Sequence, residues 1–582
     1  MTISLKQYWE LLSRHIRPQR WRFALLSFLL LSSIGLQIAN PQIVRAFIDA
    51  ALAGEALQRL MVPAVAFIGI ALLHQLASVS VTYLGENVAW TATNALRAEL
   101  AWHCLNLDMG FHNEHTPGEL IERIDGDVTE MANFFSLFTI TIAGNSLLLV
   151  GILAALFRED WRVGVAFSIF AVVTLLVLIR LRNLAVPDQK ALRQAQADLF
   201  GFVEEQLTGA EDIRSSGAVD FSLRELFRRQ ANILHHDRIS HQKGWTISGL
   251  VMGGLLTLGT LMAFGSGYLL FTAGLITIGT VYLFINYVNQ LEQPIRALTR
   301  QVQSFQTIGA CVERLSELRK IQPRVLDGKQ DNLPPGPLPL AFENVTFAYN
   351  GDESILRDLS FHLAPGARLG LLGRTGSGKT TLTRLVFRLY DPKNGRILID
   401  GADLRETRLE TLRKRVAIVT QDVQLFRASV RDNLTFFDGS ISDASILAAI
   451  EELGLGEWYQ SLPNGLDTLL DTGGHSLSAG EGQLLAFTRV FLRSPGLVIL
   501  DEASSRLDPA TEQRLERAID RLLMGRTAII IAHRLHTVHR TDEIMILEDG
   551  QISEYGRREQ LAANRASRFY NLLQTGLEEV LA

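Results

Sequence analysis

Cysteine is almost absent from this chain, with two in 582 residues. Cys104 and Cys311 lie far apart, and both fall in segments read as cytosolic, where thiols stay reduced; a disulfide framework is therefore not expected. An excess of one charge is lacking too. Lys and Arg number 56 against 61 Asp and Glu, for a net charge of -5. The two signs are interspersed, which leaves no basic stripe for a phosphate backbone, so nucleic acid is not expected as a partner. Apolar sequence is what the chain has in abundance: 47% hydrophobic against 20% charged residues, averaged over an apolar first half and a charged, soluble-looking second half. At this length at least two domains are expected, each with its own interior.

A helix needs about 20 apolar residues to cross the hydrocarbon core of a bilayer. Six segments meet that requirement, at about 23–47, 61–83, 134–157, 163–179, 246–272 and 277–297. The first follows Arg14, Arg17, Arg20 and Arg22 and continues through Asn40-Pro41. It outruns the usual signal-peptide core of about 7–15 residues and lacks a small-residue cleavage site, so it is read as a span. The links 48–60, 158–162 and 273–276 are short, whereas 86–133 and 180–244 are long, charged and helix-compatible. Unpaired backbone groups are too costly in hydrocarbon, so the long stretches must project into water. Arg180, Arg182, Lys190, Arg193, Arg214, Arg224, Arg228 and Arg229 put the second of them, and with it both chain ends, on the cytosolic side. A helix from Ala89 to Gly118 would reach roughly 40 Å from the membrane. Within the spans, Gly249-x-x-x-Gly253 reads as a helix-packing surface. Tyr282, Asn286, Asn289, Gln293 and Arg296 recur on one face of the sixth span, consistent either with a translocation path or with hydrogen bonding between helices.

Around 311–338 the pattern turns to charge and then to the Pro-rich run Asn332-Leu-Pro-Pro-Gly-Pro-Leu-Pro339, a linker signature. The reading is thus a membrane domain over 1–310, a linker over 311–338 and a soluble domain over 339–582. In the soluble part, Arg368-Leu-Gly-Leu-Leu372 leads into Gly373-Arg374-Thr375-Gly376-Ser377-Gly378-Lys379-Thr380-Thr381 and then an apolar-periodic helix, which is the context of a P-loop. Glycines let backbone amides close around phosphate, Lys379 reaches the terminal phosphates and Thr380 offers a hydroxyl to Mg2+. Downstream, the apolar run Gly496–Leu500 ends in Asp501-Glu502. A carboxylate at a strand end beside a P-loop holds Mg2+, and the next one can take a proton from attacking water. A further apolar strand, Ala528–Ala532, delivers His533 to the same sheet edge.

With these motifs in place the chain resembles the ABC ATPases, in particular exporters with six spans followed by a nucleotide-binding domain. The likeness implies an all-α six-helix membrane domain joined to an α/β P-loop ATPase, with ATP and Mg2+ as ligands. It assigns Tyr349 to stacking on adenine, Gln421 to sensing the terminal phosphate and serving Mg2+ with Thr380 and Asp501, Glu502 to general base and His533 to the switch histidine. It also matches Leu477-Ser478-Ala479-Gly480-Glu481-Gly-Gln483 to the signature that touches ATP on a partner subunit, and Asp508 to the D-loop. Segments near Phe111–Leu120 and Gly209–Phe221 resemble coupling helices that rest on nucleotide domains. The implied protein is one half of a dimeric, ATP-hydrolysing exporter in a lipid bilayer, as in a bacterial plasma membrane, with the nucleotide domain cytosolic and a hydrophobic or amphipathic substrate.

Two motifs depart from the family pattern. Ala479 and Glu481 stand where the signature usually has Gly and Gln, and Thr472 stands where a glutamate is common. An altered signature beside an intact P-loop, Asp501, Glu502 and His533 matches one subunit of a heterodimer, so a different half-transporter is the expected partner. Tyr282, Asn286, Asn289 and Gln293 are the candidate substrate-path residues. The alternatives are an importer of the same fold, or an ATP-gated channel or regulator; intact Glu502 and His533 argue against the latter pair.

Overall fold

The computed structural model describes residues 13–136, 141–246, 252–300, 302–349, 353–420, 423–471, 477–501, 509–532 and 535–575. These form two units: the residues up to Leu105 together with Pro117–Ile321, and Asn106–Thr116 together with the residues from Gln322 onward.

The first unit is helical. Its elements are α1 (Arg20–Leu52), α2 (Leu57–Leu105), α4 (Pro117–Ile121), a π-helical turn (Glu122–Asp127), α5 (Val128–Ser136), α6 (Gly144–Glu159), α7 (Trp161–Thr208), α8 (Ala210–Ser215), α9 (Val219–Thr246), α10 (Met252–Thr272), α11 (Ile278–Arg300) and α12 (Val302–Lys320); α3 (Met109–Glu114) belongs to the second unit. Among the described residues, five helical stretches are long and apolar enough to cross a membrane: Ser13–Leu52, Leu57–Leu105, Thr141–Glu159, Trp161–Leu178 and Gly253–Thr272. The sixth expected span, α11, falls outside that set; Asn286, Asn289, Gln290, Glu292, Gln293 and Arg296 dilute its apolar character. Its other face carries Leu283, Phe284, Tyr287, Val288, Leu291 and Ile295, all buried against Leu148, Ile152 and Leu156 of α6 and Val163, Phe167 and Phe170 of α7. That spacing is one stripe of an α-helix.

Glycine packing differs from the reading of Gly249 and Gly253. Gly249 lies outside the described residues, and a Cβ built on Gly253 would meet nothing within 4 Å. Close approach occurs instead at Gly259, where a Cβ would come within 2.8 Å of Phe170, and at Gly267, 2.8 Å from Val281. Small residues matter where helices actually cross, and spacing alone does not locate the crossing.

The expected helix from Ala89 to Gly118 also divides. α2 ends at Leu105, and Asp108 starts α3 by accepting a hydrogen bond from the Phe111 amide at 3.3 Å. The other carboxylate oxygen of Asp108 accepts the Arg324 amide at 2.6 Å, which ties this short helix to the second unit. An N-cap aspartate satisfies an orphan donor of the new helix and so favours a break there.

The second unit has two sheets. One is antiparallel, in the order β2 (Leu356–Leu363), β1 (Leu340–Phe347), β4 (Asn394–Ile399), β5 (Ala402–Asp403). The other runs β10 (Gln551–Arg557), β9 (Glu543–Glu548), β3 (Arg368–Leu372), β8 (Thr527–Ile531), β7 (Leu497–Asp501), β6 (Val416–Val419), and is parallel except at β10. β8 is buried at every position and β7 at all but Asp501, which explains their unbroken apolar sequence: both faces of a parallel strand are covered. One core joins the two sheets through Phe342, Leu371, Leu382, Ile499 and Ile529. A second packs Leu485, Phe487, Leu500, Leu522 and Ile530 among the helices beyond the sheet.

Candidate functional site

The loop between β3 and the helix Lys379–Val386 turns sharply at glycines for which no other residue is suited. Gly373 has φ +149°, and a Cβ there would lie 2.4 Å from the Leu547 carbonyl oxygen. Gly378, at φ +103°, caps the helix where a Cβ would lie 2.5 Å from Leu356. Arg374, Thr375 and Gly376 form the exposed rim. Lys379 is only 7% exposed; its ammonium donates to the carbonyls of Gly373 at 2.6 Å and Arg374 at 3.0 Å, which holds the charge inside the loop. Ser377 is also buried, and its Oγ has no hydrogen-bond partner among the described residues. A buried orphan hydroxyl beside a buried ammonium, at the first turn of a helix, suits an anion with several acceptor oxygens. Thr380 is exposed in that first turn.

Sheet register brings the carboxylate strand to the same edge. Ile531 of β8 pairs with Leu371 of β3 on one side and with Asp501 of β7 on the other. Two strand spacings, about 10 Å, separate the β3 and β7 ends. Gln421, Glu502, Asp508 and His533 lie outside the described residues, as does Thr472.

Tyr349 follows β1 and reaches the P-loop helix. Its hydroxyl lies 3.1 Å from Thr381 Oγ1 and accepts a hydrogen bond from Arg384 at 3.2 Å. Its ring meets Tyr390 and Phe347 edge-on, each at 5.0 Å between centroids. Tyr390, not singled out in the sequence, accepts a hydrogen bond from Asn113 of α3 at 2.8 Å. Burial pushes the Tyr390 phenol up, so it stays protonated. These groups line a cavity of about 450 Å³ with Asp108, Arg324 and Lys393. The contact joins residues 277 positions apart, and no local pattern announces it.

The signature forms the start of the helix Ala479–Arg493, with Ser478 as N-cap. Ser478 Oγ accepts the Glu481 amide at 3.3 Å, while Glu481 Oε2 accepts both the Ser478 amide at 2.8 Å and the Ser478 hydroxyl at 2.9 Å. This is a reciprocal capping box, and the pattern Ser-x-x-Glu is its sequence signal. Gly480 is buried, and Ala479 occupies the first position of the helix. Deeper along the same helix, buried Arg489 donates to the carbonyls of Asn433 at 2.6 Å and Gln424 at 2.9 Å and to Asn433 Oδ1 at 3.0 Å.

On α11, Tyr282, Asn289 and Gln293 are exposed and Asn286 is half-buried, opposite the packed face. Asn286 donates to the Tyr282 hydroxyl at 3.2 Å and accepts from Gln290 at 3.2 Å, so the stripe is linked along its own helix. Arg296 pairs with Glu292 at 2.6 Å. A second polar group went unread in the sequence: Arg45 pairs with Glu159 at 2.5 Å, Gln42 donates to Glu159 and to Tyr287, and Asp49 accepts the Gly279 amide at 2.9 Å. It ties α1 to α6 and α11. α8, in the second long loop, has no buried residue.

Comparison with known proteins accounts for both units. Residues 23–295 match the family model described as ABC transporter transmembrane region, and residues 356–505 match the model described as ABC transporter. The chain is 29% identical over 98% of its length to an uncharacterized ABC transporter ATP-binding protein, YfiC, of Bacillus subtilis, covering 93% of that protein. It is 30% identical to an ATP-dependent lipid A-core flippase of Haemophilus influenzae, over 86% of each chain. It is also 30% identical to YgaD, a putative multidrug export ATP-binding/permease protein of Bacillus subtilis, over 81% of this chain and 82% of that one. Its fold superposes on a bacterial Atm1-family ABC exporter with ATP bound at a TM-score of 0.77 and 24% identity, covering 96% and 98% of the two chains. The chain belongs to the ABC transporters, as an ATP-hydrolysing half-transporter of the exporter type.

Proposed function

We propose that this chain exports a hydrophobic or amphipathic compound by alternating access, in a bacterial plasma membrane, paired with a different half-transporter. The observation that carries the transport reading is the polar face of α11, exposed opposite a fully packed apolar face, in a chain that also holds a P-loop. Such a face suits a path shared with a second half. The names borne by the relatives, a lipid A-core flippase and a putative multidrug exporter, support a lipid-like or amphipathic substrate.

In this reading ATP lies between the P-loop of one subunit and the signature of the other. Tyr349 stacks on adenine; the loop amides of 373–378, Ser377 and Lys379 hold the phosphates. The exposed Thr380 hydroxyl and the Asp501 carboxylate are oxygen donors suited to a hard cation, and with Gln421 they would hold Mg2+. Bound there, Mg2+ supplies charge to the phosphate oxygens. Glu502 takes the proton of the attacking water, His533 and Asp508 orient the closing faces, and Ser478 and Gly480 contact the partner's nucleotide. Closure moves the membrane helices between inward- and outward-open arrangements. The heterodimer reading rests on Ala479 and Glu481 set against an otherwise intact P-loop side.

The test is reconstitution in vesicles of known orientation. ATP-dependent accumulation on the side opposite the nucleotide unit supports export; accumulation on the same side means import, and ion flux without uphill accumulation means a channel. Purified alone, the chain should give inactive or monomeric protein; a homodimer hydrolysing at both sites would overturn heterodimerisation.

A further inference from the structure

The signature helix is already capped by an anion of its own chain. One oxygen of Glu481 receives both the hydroxyl proton and the backbone amide of Ser478. In the head-to-tail dimer proposed for this chain, that same hydroxyl must donate to a terminal phosphate of the nucleotide on the opposing subunit. Resting on that head-to-tail reading, we propose that Glu481 is a charge gate on the signature face: its carboxylate occupies the phosphate-directed donors of Ser478 and repels the incoming phosphate, so the composite site closed by this face holds ATP weakly.

Two physical effects act in the same direction. The helix Ala479–Arg493 is 15 residues long, and its N-terminus carries the equivalent of roughly half a positive charge, which a capping carboxylate largely cancels. Then the phosphate must take the Ser478 hydroxyl from a charged acceptor, and a hydrogen bond to a charged acceptor is roughly twice as strong as a neutral one. Glutamine in this position would complete the same box through its amide oxygen and add no charge. Shape and capping are therefore common to both residues. Glutamine lacks the charge and carries an N–H donor where the carboxylate has its second oxygen, so the comparison with Glu481→Ala, which has neither charge nor donor, isolates the charge. A fixed negative charge near the phosphate should weaken retention by about tenfold or more.

The experiment uses the full-length chain in lipid nanodiscs, with any co-purifying second half-transporter, under Mg-ATP and vanadate. Labelled nucleotide retained per dimer after rapid desalting is measured across an ATP titration for wild type, Glu481→Gln, Glu481→Ala, Ser478→Ala and the double variant Ser478→Ala/Glu481→Gln. The gate requires Glu481→Gln to retain nucleotide at ATP concentrations about tenfold lower than wild type, the double variant to lose that gain, and Glu481→Ala to tighten retention as well despite its lost cap. Retention by Glu481→Gln equal to wild type, with Ser478→Ala weaker, overturns the gate and leaves Glu481 a helix cap. Retention indifferent to Ser478→Ala in both backgrounds overturns the head-to-tail reading itself, and the gate with it. Raising the salt concentration should narrow the gap between wild type and Glu481→Gln, because screening acts on charge and leaves shape unchanged.

Discussion

Replacing Arg489 with methionine probes how the helical layer of the ATPase unit is held. Among the described residues the guanidinium is buried without a carboxylate beside it, and burial lowers it to about 10. It serves three acceptors on the segment 424–433, and Asn433 in turn accepts the Phe426 amide and donates to the carbonyls of Phe426, Ala428 and Ser429. Arg489 also lies over the Phe436 ring at 4.7 Å. Methionine keeps much of the apolar stem and removes every donor. The carbonyls of Asn433 and Gln424 lose this partner at about 1–3 kcal/mol each, while Asn433 Oδ1 keeps the Phe426 amide, and relief from burying a charge offsets part of the loss; a net loss of about 2–4 kcal/mol is expected. For a unit of this size that corresponds to roughly 4–16 °C in melting temperature. Hydrogen exchange on the full-length protein should show peptides in 423–437 losing protection. ATP affinity should stay within about twofold, because the P-loop helix packs in the other core, apart from the one that holds the Arg489 helix. Unchanged protection over 423–437 would refute the reasoning, as would an equal fall in ATP affinity, which would mean that the two cores are not separable.

Lys379→Ala should weaken ATP binding by tenfold or more in equilibrium titration, since a buried ammonium leaves the phosphate loop; unchanged affinity would displace the P-loop assignment. Glu502→Gln should bind ATP like wild type and lose nearly all turnover, and wild-type hydrolysis would remove Glu502 as base. Replacing Asn286 and Asn289 together with Leu should alter ATPase stimulation by transported compounds while sparing the basal rate; stimulation unchanged for every compound that stimulates wild type would make the stripe a packing surface. Cys311 is pushed up to about 12, first by burial and then by its hydrogen bond with Asp127. Its thiolate fraction near pH 8 therefore falls about a thousandfold below that of an ordinary thiol, and native protein should take up maleimide at Cys311 only after denaturation. Rapid labelling at neutral pH would contradict that burial.

Chemistry carried by a few neighbouring residues was open to reading in the sequence. The turn at Gly373 and Gly378, the ammonium of Lys379 inside it, the buried parallel strands and the long apolar helices all follow from local backbone freedom and from the periods 2 and 3.6. The Ser478–Glu481 capping box also lies within one helical turn, although its consequence, a carboxylate holding the signature hydroxyl, shows only once the side-chain geometry is seen. The tertiary structure alone decided which distant groups meet. It placed residues 106–116 with the ATPase unit through Asp108 and Asn113, set Tyr390 beside Tyr349, paired Arg45 with Glu159, buried Arg489 on the carbonyls of 424–433, and moved the close helix crossing from Gly253 to Gly259 and Gly267. The reason is that a propensity or a cap is an energy of adjacent residues, whereas a cross-chain pair is selected by how whole elements pack, and at such separations many arginines, tyrosines and glycines are equivalent until the packing chooses among them.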